Sequence, residues 1–153
     1  MTAIEALKKQ PLFSWISNAP LEYLVENAET RSLLNGDTLY AAGTPGDAIY
    51  LILDGDIQFT PSSGAGKILG KGSLFGECYV IELKDRPCAA KAKGNTSILV
   101  LNHGLLYKFS EKFPDPYSIV ITNLARCLVA HIRDLNEKKA TTKIEKNDEE
   151  HAQ

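Results

Sequence analysis

No apolar run in this chain approaches the ~20 residues that a membrane-spanning helix needs, so no such span is expected. Cysteine is scarce. Cys78, Cys88 and Cys127 form an odd set without any Cys-x-x-Cys spacing, which argues against a disulfide framework or a zinc knot. A reducing cytoplasm is the natural setting for such a chain. The three histidines, His103, His131 and His151, have no partners at ligand spacing, so no metal site is expected. Charge of one sign is also missing. Seventeen basic residues against nineteen acidic ones leave a net charge of −2, which provides no bulk attraction to nucleic acid or to an anionic membrane. The first ten residues hold an early acid and no apolar core, unlike a secretory leader. Gly64-Ala65-Gly66-Lys67 has Pro61 where a triphosphate loop has its first glycine, and Ile68 follows the lysine, so it reads as a hairpin turn. No nucleophile elbow or triad context surrounds any serine. The expectation is a protein that is not an enzyme.

What is present is an ordinary core-forming composition, 44% hydrophobic over 153 residues, enough for one domain. Ala3 to Lys9 is a short amphipathic segment stopped by Pro11, and Pro20 opens a second helix carrying Leu21, Leu24 and Val25 on one face. From Thr30 the pattern changes to short β-type runs. Leu33-Leu34, Leu39 to Ala42 and Ile49 to Leu53 are divided by Asn35-Gly36-Asp37, by Gly43-Thr44-Pro45-Gly46-Asp47 and, after the third run, by Asp54-Gly55-Asp56. Such spacing predicts an antiparallel sandwich or barrel. Ile57 to Phe59 continues it, Pro61 to Gly66 is a hairpin tip, and two further strands fall at Ala89 to Lys93 and Ser97 to Leu101. Leu105, Leu106, Phe109 and Phe113 return to helical spacing until Pro114-Asp115-Pro116 ends that segment. A last helix is predicted over residues 117–139, with Tyr117, Ile121, Leu124, Leu128, His131 and Leu135 as an apolar seam. Residues 140–153 are polar and mixed in charge, which predicts a tail without fixed structure.

The chemically pointed stretch runs from Phe75 to Ala90. Arg86 offers a planar, permanently charged fork of donors suited to a phosphate. Glu77 is an acceptor-only group suited to a sugar hydroxyl, and Gly76 lets backbone approach a ligand that a side chain would push away.

This stretch resembles the phosphate-binding cassette of cyclic nucleotide-binding domains, of the catabolite activator and cAMP-dependent kinase regulatory type. Its spacing from Gly76-Glu77 to Arg86 is the one that family uses. The turn markers at Gly36, Gly43 to Asp47, Asp54 to Asp56 and Leu69 to Glu77 fall in the family's order, and the likeness spans roughly Leu12 to Leu135. The resemblance implies a mainly β fold, an antiparallel β-roll of jelly-roll type with N-terminal helices and a long C-terminal helix. It divides the chain into a helical segment 1–11, a nucleotide-binding domain 12–135 with its closing helix 117–139, and the tail 140–153. It places Arg86 on a cyclic phosphate and Glu77 on a ribose 2′-hydroxyl. Phe75, Gly76, Cys78, Tyr79, Pro87 and Cys88 complete the ligand-binding set, with a short helix at Cys78 to Glu82 aiming its first N–H groups at the anion.

Three positions depart from the family's usual residues. Pro87 follows Arg86 where many members offer an N–H, Tyr79 stands where a small residue is usual, and Cys88 and Ala89 occupy places where a Ser or Thr often helps. The missing hydroxyl favours cAMP over cGMP. The expected function is a stand-alone cyclic nucleotide sensor that signals through a protein partner or through a homodimer formed on the C-terminal helix. The other reading is a roll that has lost its nucleotide and serves as an interaction or dimerisation module.

Overall fold

Two stretches of this chain, Ile49 to Ile52 and Ile98 to Leu101, are apolar without alternation, and their position explains why. They lie on the two longest strands, β3 (Ala48–Thr60) and β6 (Ala89–Asn102), paired antiparallel so that Ile49 faces Leu101, Tyr50 faces Val100, Leu51 faces Leu99 and Ile52 faces Ile98. Side chains alternate between the faces of a strand. Ile49, Leu51, Leu99 and Leu101 therefore enter one core with Leu7, Phe13, Leu21, Leu24, Phe109 and Leu124 from the helices. Tyr50, Ile52, Ile98 and Val100 enter a second core inside the roll with Leu33, Leu39, Ile57, Phe75 and Ala92. Both faces are covered, so no polar alternation is required.

This computed structural model describes residues 1–61, 66–82 and 84–152, apart from the side chains of Tyr79, Val80 and Ile81. Six strands are found among the described residues: β1 (Glu29–Leu33), β2 (Thr38–Tyr40), β3, β4 (Ile68–Leu69), β5 (Leu74–Phe75) and β6. The sheet order is β1-β6-β3-β4, with β2 also on β6 and β5 also on β3, and every pairing is antiparallel. Helices α1 (Ala3–Lys8) and α2 (Asn18–Asn27) precede the sheet, with a single 3-10 turn at Pro11–Phe13 between them. Helix α3 (Glu77–Glu82) interrupts it, and α4 (His103–Lys112) and α5 (Pro114–His151) close the chain. This is the antiparallel roll with flanking helices and a long C-terminal helix that the sequence implies. Among the described residues no helix is long and apolar enough to cross a membrane.

The structure corrects several boundaries. Asp54-Gly55-Asp56 reads as a turn in the sequence and residues 94–96 as the break between two strands, yet both lie within continuous strands. The β3–β6 register shifts between Ile52 and Asp54 and again between Asp54 and Asp56, so the extra residues become bulges. Gly55, at φ +84, makes this possible: a Cβ there would stand 2.5 Å from the Asn95 carbonyl oxygen. One 14-residue strand thus replaces the two expected between Ala89 and Leu101. The hairpin tip expected around Pro61 to Gly66 lies, at residues 62–65, outside the described residues.

Helix α5 starts at Pro114, three residues before the expected Tyr117, because proline at a first helical position gives up only an N–H that would be orphaned there. At its other end α5 continues to His151, through residues 140–151 for which the composition predicts a tail without fixed structure. Neither Pro nor Gly follows Pro116, the segment carries the helix-favouring residues Lys and Glu, and Lys138 pairs with Asp134 at 3.0 Å one turn away.

Candidate functional site: an aromatic cavity beside a buried arginine

The turn at Gly43 to Asp47 fixes the end of the Phe75–Ala90 stretch. The Arg86 N–H donates to the Thr44 carbonyl at 2.7 Å, Gly43 N–H donates to the Arg86 carbonyl at 2.8 Å, and Gly46 N–H to that of Lys84 at 3.0 Å. Pro45 and Asp85 form a bridge between the two segments. Backbone thus holds Arg86 on both sides, and its side chain turns inward to 2% exposure. Its Nη2 donates to the Ala48 carbonyl at 3.0 Å. Its guanidinium carbon lies 4.6 Å from the Tyr40 ring centroid and 5.5 Å from that of Tyr50. A guanidinium over aromatic faces is held by the ring quadrupole, and more strongly once desolvated.

Gly76 shows why a glycine stands here. Its φ is +89, and a Cβ would lie 2.8 Å from the Ala48 carbonyl oxygen and 3.1 Å from Arg86 Nη1. Gly76 also lines a cavity of about 350 Å³, in the size range of small-ligand sites, whose wall is mostly aromatic and apolar: Tyr40, Phe59, Leu69 and Phe75, with Pro61, Lys67, Pro87 and Cys88. The glycine is the thin wall between this cavity and the guanidinium. The rings are ordered among themselves, Phe75 stacked on Tyr50 at 5.2 Å and edge-on to Phe59 at 5.1 Å.

The expected ligand set is therefore divided. Phe75, Gly76, Pro87 and Cys88 border one cavity, with Arg86 behind it. Glu77, first residue of α3, is half-buried and lines a different groove of about 470 Å³, with Ile49, Leu106, Tyr117, Val120 and Leu124 among its walls. Cys78 is half-buried on α3 and free, and burial, then the carboxylates of Glu77 and Glu82, push its thiol up, which keeps it protonated and unreactive. The Tyr79 side chain lies outside the described residues. Tyr40, Phe59, Lys67 and Leu69 line the cavity too, although reading the sequence does not single them out. For Tyr40 and Phe59 the signal was present only as alternation along β2 and β3, since nothing in a strand's sequence says which rings meet, and Lys67 and Leu69, before and on β4, carried none. Burial pushes the Tyr50 phenol up and the nearby Arg86 charge offsets part of that, which keeps the ring neutral beneath the guanidinium.

Chemically the arrangement offers a largely apolar cavity lined by aromatic rings, backbone without a side chain at Gly76, the buried Arg86 cation close behind it and Lys67 as a second cation on the lining. This suits a ligand with a planar ring and an anionic group. Among the described residues no group of three or more His, Cys, Asp or Glu side chains is placed to hold a metal ion.

The seam expected on α5 splits in two. Tyr117 and Leu124 of that seam turn inward, with Val120 beside them, and pack against the helical core, whereas Ile121, Leu128, His131 and Leu135 stay exposed, as does neighbouring Ile132.

Comparison with known proteins agrees with this architecture. The family model "Cyclic nucleotide-binding domain" matches residues 30–113, more than half of the chain. A potassium channel protein of Rhodopseudomonas palustris is 29% identical over 90% of this chain and 35% of its own length. The cyclic AMP receptor protein of Thermus thermophilus is 25% identical over 84% of this chain and 60% of its own. The chain thus spans between a third and three fifths of these two curated relatives. The crystal structure of the N-terminal domain of a transcriptional regulator from Streptomyces coelicolor superimposes with a TM-score of 0.75 at 26% identity, covering 82% of this chain and 94% of that one.

Proposed function

Since the chain belongs to the cyclic nucleotide-binding domain family, a regulatory rather than a catalytic one, we propose that it is a sensor module whose ligand is a cyclic nucleotide, cAMP in preference to cGMP. The carrying observation is the buried Arg86 guanidinium packed directly behind Gly76, a residue that itself borders the aromatic cavity. In this reading the base lies between Phe59, Tyr40 and Leu69, and the cyclic phosphate draws Arg86 off the Tyr40 ring and the Ala48 carbonyl. Glu77 turns from its groove to the ribose 2′-hydroxyl, which requires a small rotation of α3. Cys88 leaves the cavity without the hydroxyl that favours cGMP, and the name of the Thermus relative, a cyclic AMP receptor protein, supports the same choice. The functional unit is residues 12–135, preceded by the helical segment 1–11, and it works in the cytoplasm. Its state passes to a protein partner, or to a second copy, through α5, whose Ile121, Leu128, Ile132 and Leu135 form an exposed stripe of heptad spacing.

Isothermal titration with cAMP, and in parallel with cGMP, tests this. The expected result is micromolar or tighter binding of cAMP, weaker binding of cGMP, and a loss of about ten- to a hundredfold in Arg86→Ala, as for a lost hydrogen bond between charged groups. Absence of heat up to millimolar ligand refutes it. That outcome favours the second reading, an interaction or dimerisation module, for which Pro87 at the cavity wall, without an N–H to donate, is the specific observation.

A further inference from the structure

Trp15 is the single tryptophan of the chain, and it is placed as a core residue never is. Its side chain is 86% exposed, and its φ of +69 makes it the one non-glycine residue at positive φ among the described residues. A bulky side chain is disfavoured in this left-handed region, where glycine is the default occupant. The neighbours show that this is an imposed conformation and not a loose end. Phe13 and Ile16 on either side are buried, Ser14 N–H donates to the Pro11 carbonyl at 3.2 Å, and Ile16 N–H donates to that of Phe13 at 3.3 Å. From α5 the amide of Asn123, itself 4% exposed, donates to the carbonyls of Leu12 at 3.1 Å and Ser14 at 2.8 Å. The segment is clamped so that the indole stands out into solvent.

Beside the indole is a cleft of about 470 Å³, lined by Trp15, Ser118, Ile119, Thr122 and Arg126. Its polar groups have a defined sense. The Ser118 hydroxyl donates to the Pro114 carbonyl and the Thr122 hydroxyl to the Ser118 carbonyl, so their hydrogens point into α5 and their lone pairs remain available. Arg126 supplies the donors. It is the one charged side chain lining the cleft, and Arg133 follows two turns later on the same face of α5. Neither is in an ion pair among the described residues. An exposed indole and an unpaired guanidinium flanking a shallow apolar cleft are the residue types that dominate protein-binding hot spots.

We infer that this cleft is a docking site for an acidic peptide segment of a partner protein, with an apolar side chain laid against Trp15 and Ile119 and a carboxylate on Arg126. Charge complementarity selects the occupant, since the lining includes a cation and no carboxylate. The cleft lies on a face of α5 beside, and distinct from, the Ile121–Leu128–Leu135 stripe. The inference does not depend on nucleotide binding.

The test uses the full chain without ligand. A displayed library of random 12-residue peptides is panned on the immobilised protein, and the enriched peptides are synthesised and titrated by calorimetry against the wild type and every variant, with Trp15 emission followed in parallel for those that keep the indole. The expected peptides combine Asp or Glu with an aliphatic or aromatic residue, and saturation shifts the emission to the blue. Trp15→Gly and Arg126→Glu each weaken binding at least tenfold, Arg126→Lys retains part of it, and none lowers the melting temperature; Trp15→Gly raises it, because a glycine accepts the positive φ. Failure to enrich any peptide, enrichment without acidic residues, or equal binding to Trp15→Gly overturns the inference. So does an emission shift driven by protein concentration alone, which would assign the cleft to a second copy of the chain.

Discussion

Gly76→Ala, set against Gly36→Ala, separates two contributions that a single glycine substitution confounds. Gly36 has φ +86 and open space where a Cβ would go, whereas Gly76 has φ +89 and a Cβ position 2.8 Å from the Ala48 carbonyl oxygen. Both variants incur the cost of an L-residue in the left-handed region, about 1–2 kcal/mol. Only Gly76→Ala also pushes a methyl against a backbone carbonyl that cannot swing away. That carbonyl is the acceptor for Arg86 Nη2, so relieving the overlap loosens a buried, charged hydrogen bond. Such a bond contributes ~1.5–3 kcal/mol. The expected difference between the variants is therefore about 2 kcal/mol, or roughly 4–8 °C in melting temperature for a chain of this size. Urea denaturation followed by far-ultraviolet dichroism supplies the free energies, and isothermal titration with cAMP supplies the second readout. Gly76→Ala loses ligand binding and Gly36→Ala keeps it. Equal destabilisation by the two substitutions, or unchanged cAMP affinity in folded Gly76→Ala, refutes the account of Gly76 as the wall between cavity and arginine.

Other outcomes follow from the same geometry. Leu51, fully buried in the core between sheet and helices, costs about 2–5 kcal/mol when cut to alanine, measurable as a lower urea midpoint with an unchanged slope. Tyr50 has its phenol raised above the ordinary 10.0 by burial, so the stability it contributes is complete below that value and is lost as pH rises through the higher folded-state value. Alkaline unfolding followed by phenolate absorbance tests this, since ionisation of Tyr50 ahead of unfolding contradicts it. Leu128→Glu on the exposed stripe of α5 leaves the melting temperature of a monomer unchanged and abolishes any dimer. Sedimentation velocity of both proteins decides, and a wild-type chain that is monomeric throughout removes the dimer from the proposal.

The sequence announces the family and the roll through its turn chemistry, because Gly43 to Asp47 and Gly76-Glu77 are local signals with local causes. Where it misleads, the cause is not local. Asp54-Gly55-Asp56 has the composition of a turn, and only the partner strand makes it a bulge inside a 13-residue strand. The same holds at the site. Glu77 and Arg86 are legible as a pair, but their directions depend on α4 and α5 for one and on Tyr40 and Tyr50 for the other, residues far away in the chain. The Gly-rich turn ending in Lys67 reads as punctuation, whereas Lys67 itself borders the cavity. Helix α5 is longer than its apolar seam predicts because the polar half meets the requirements of a helix by propensity and spacing alone.

The length of α5 has a mechanical meaning. Its last anchor in the core is Leu124, and the helix continues to His151, a span of roughly 40 Å at 1.5 Å per residue. A rigid rod pivoted at that anchor multiplies angle into distance: a tilt of about 10° moves its far end by ~7 Å. A displacement too small to notice beside α3 becomes, at the other end of the rod, larger than the rise of one helical turn.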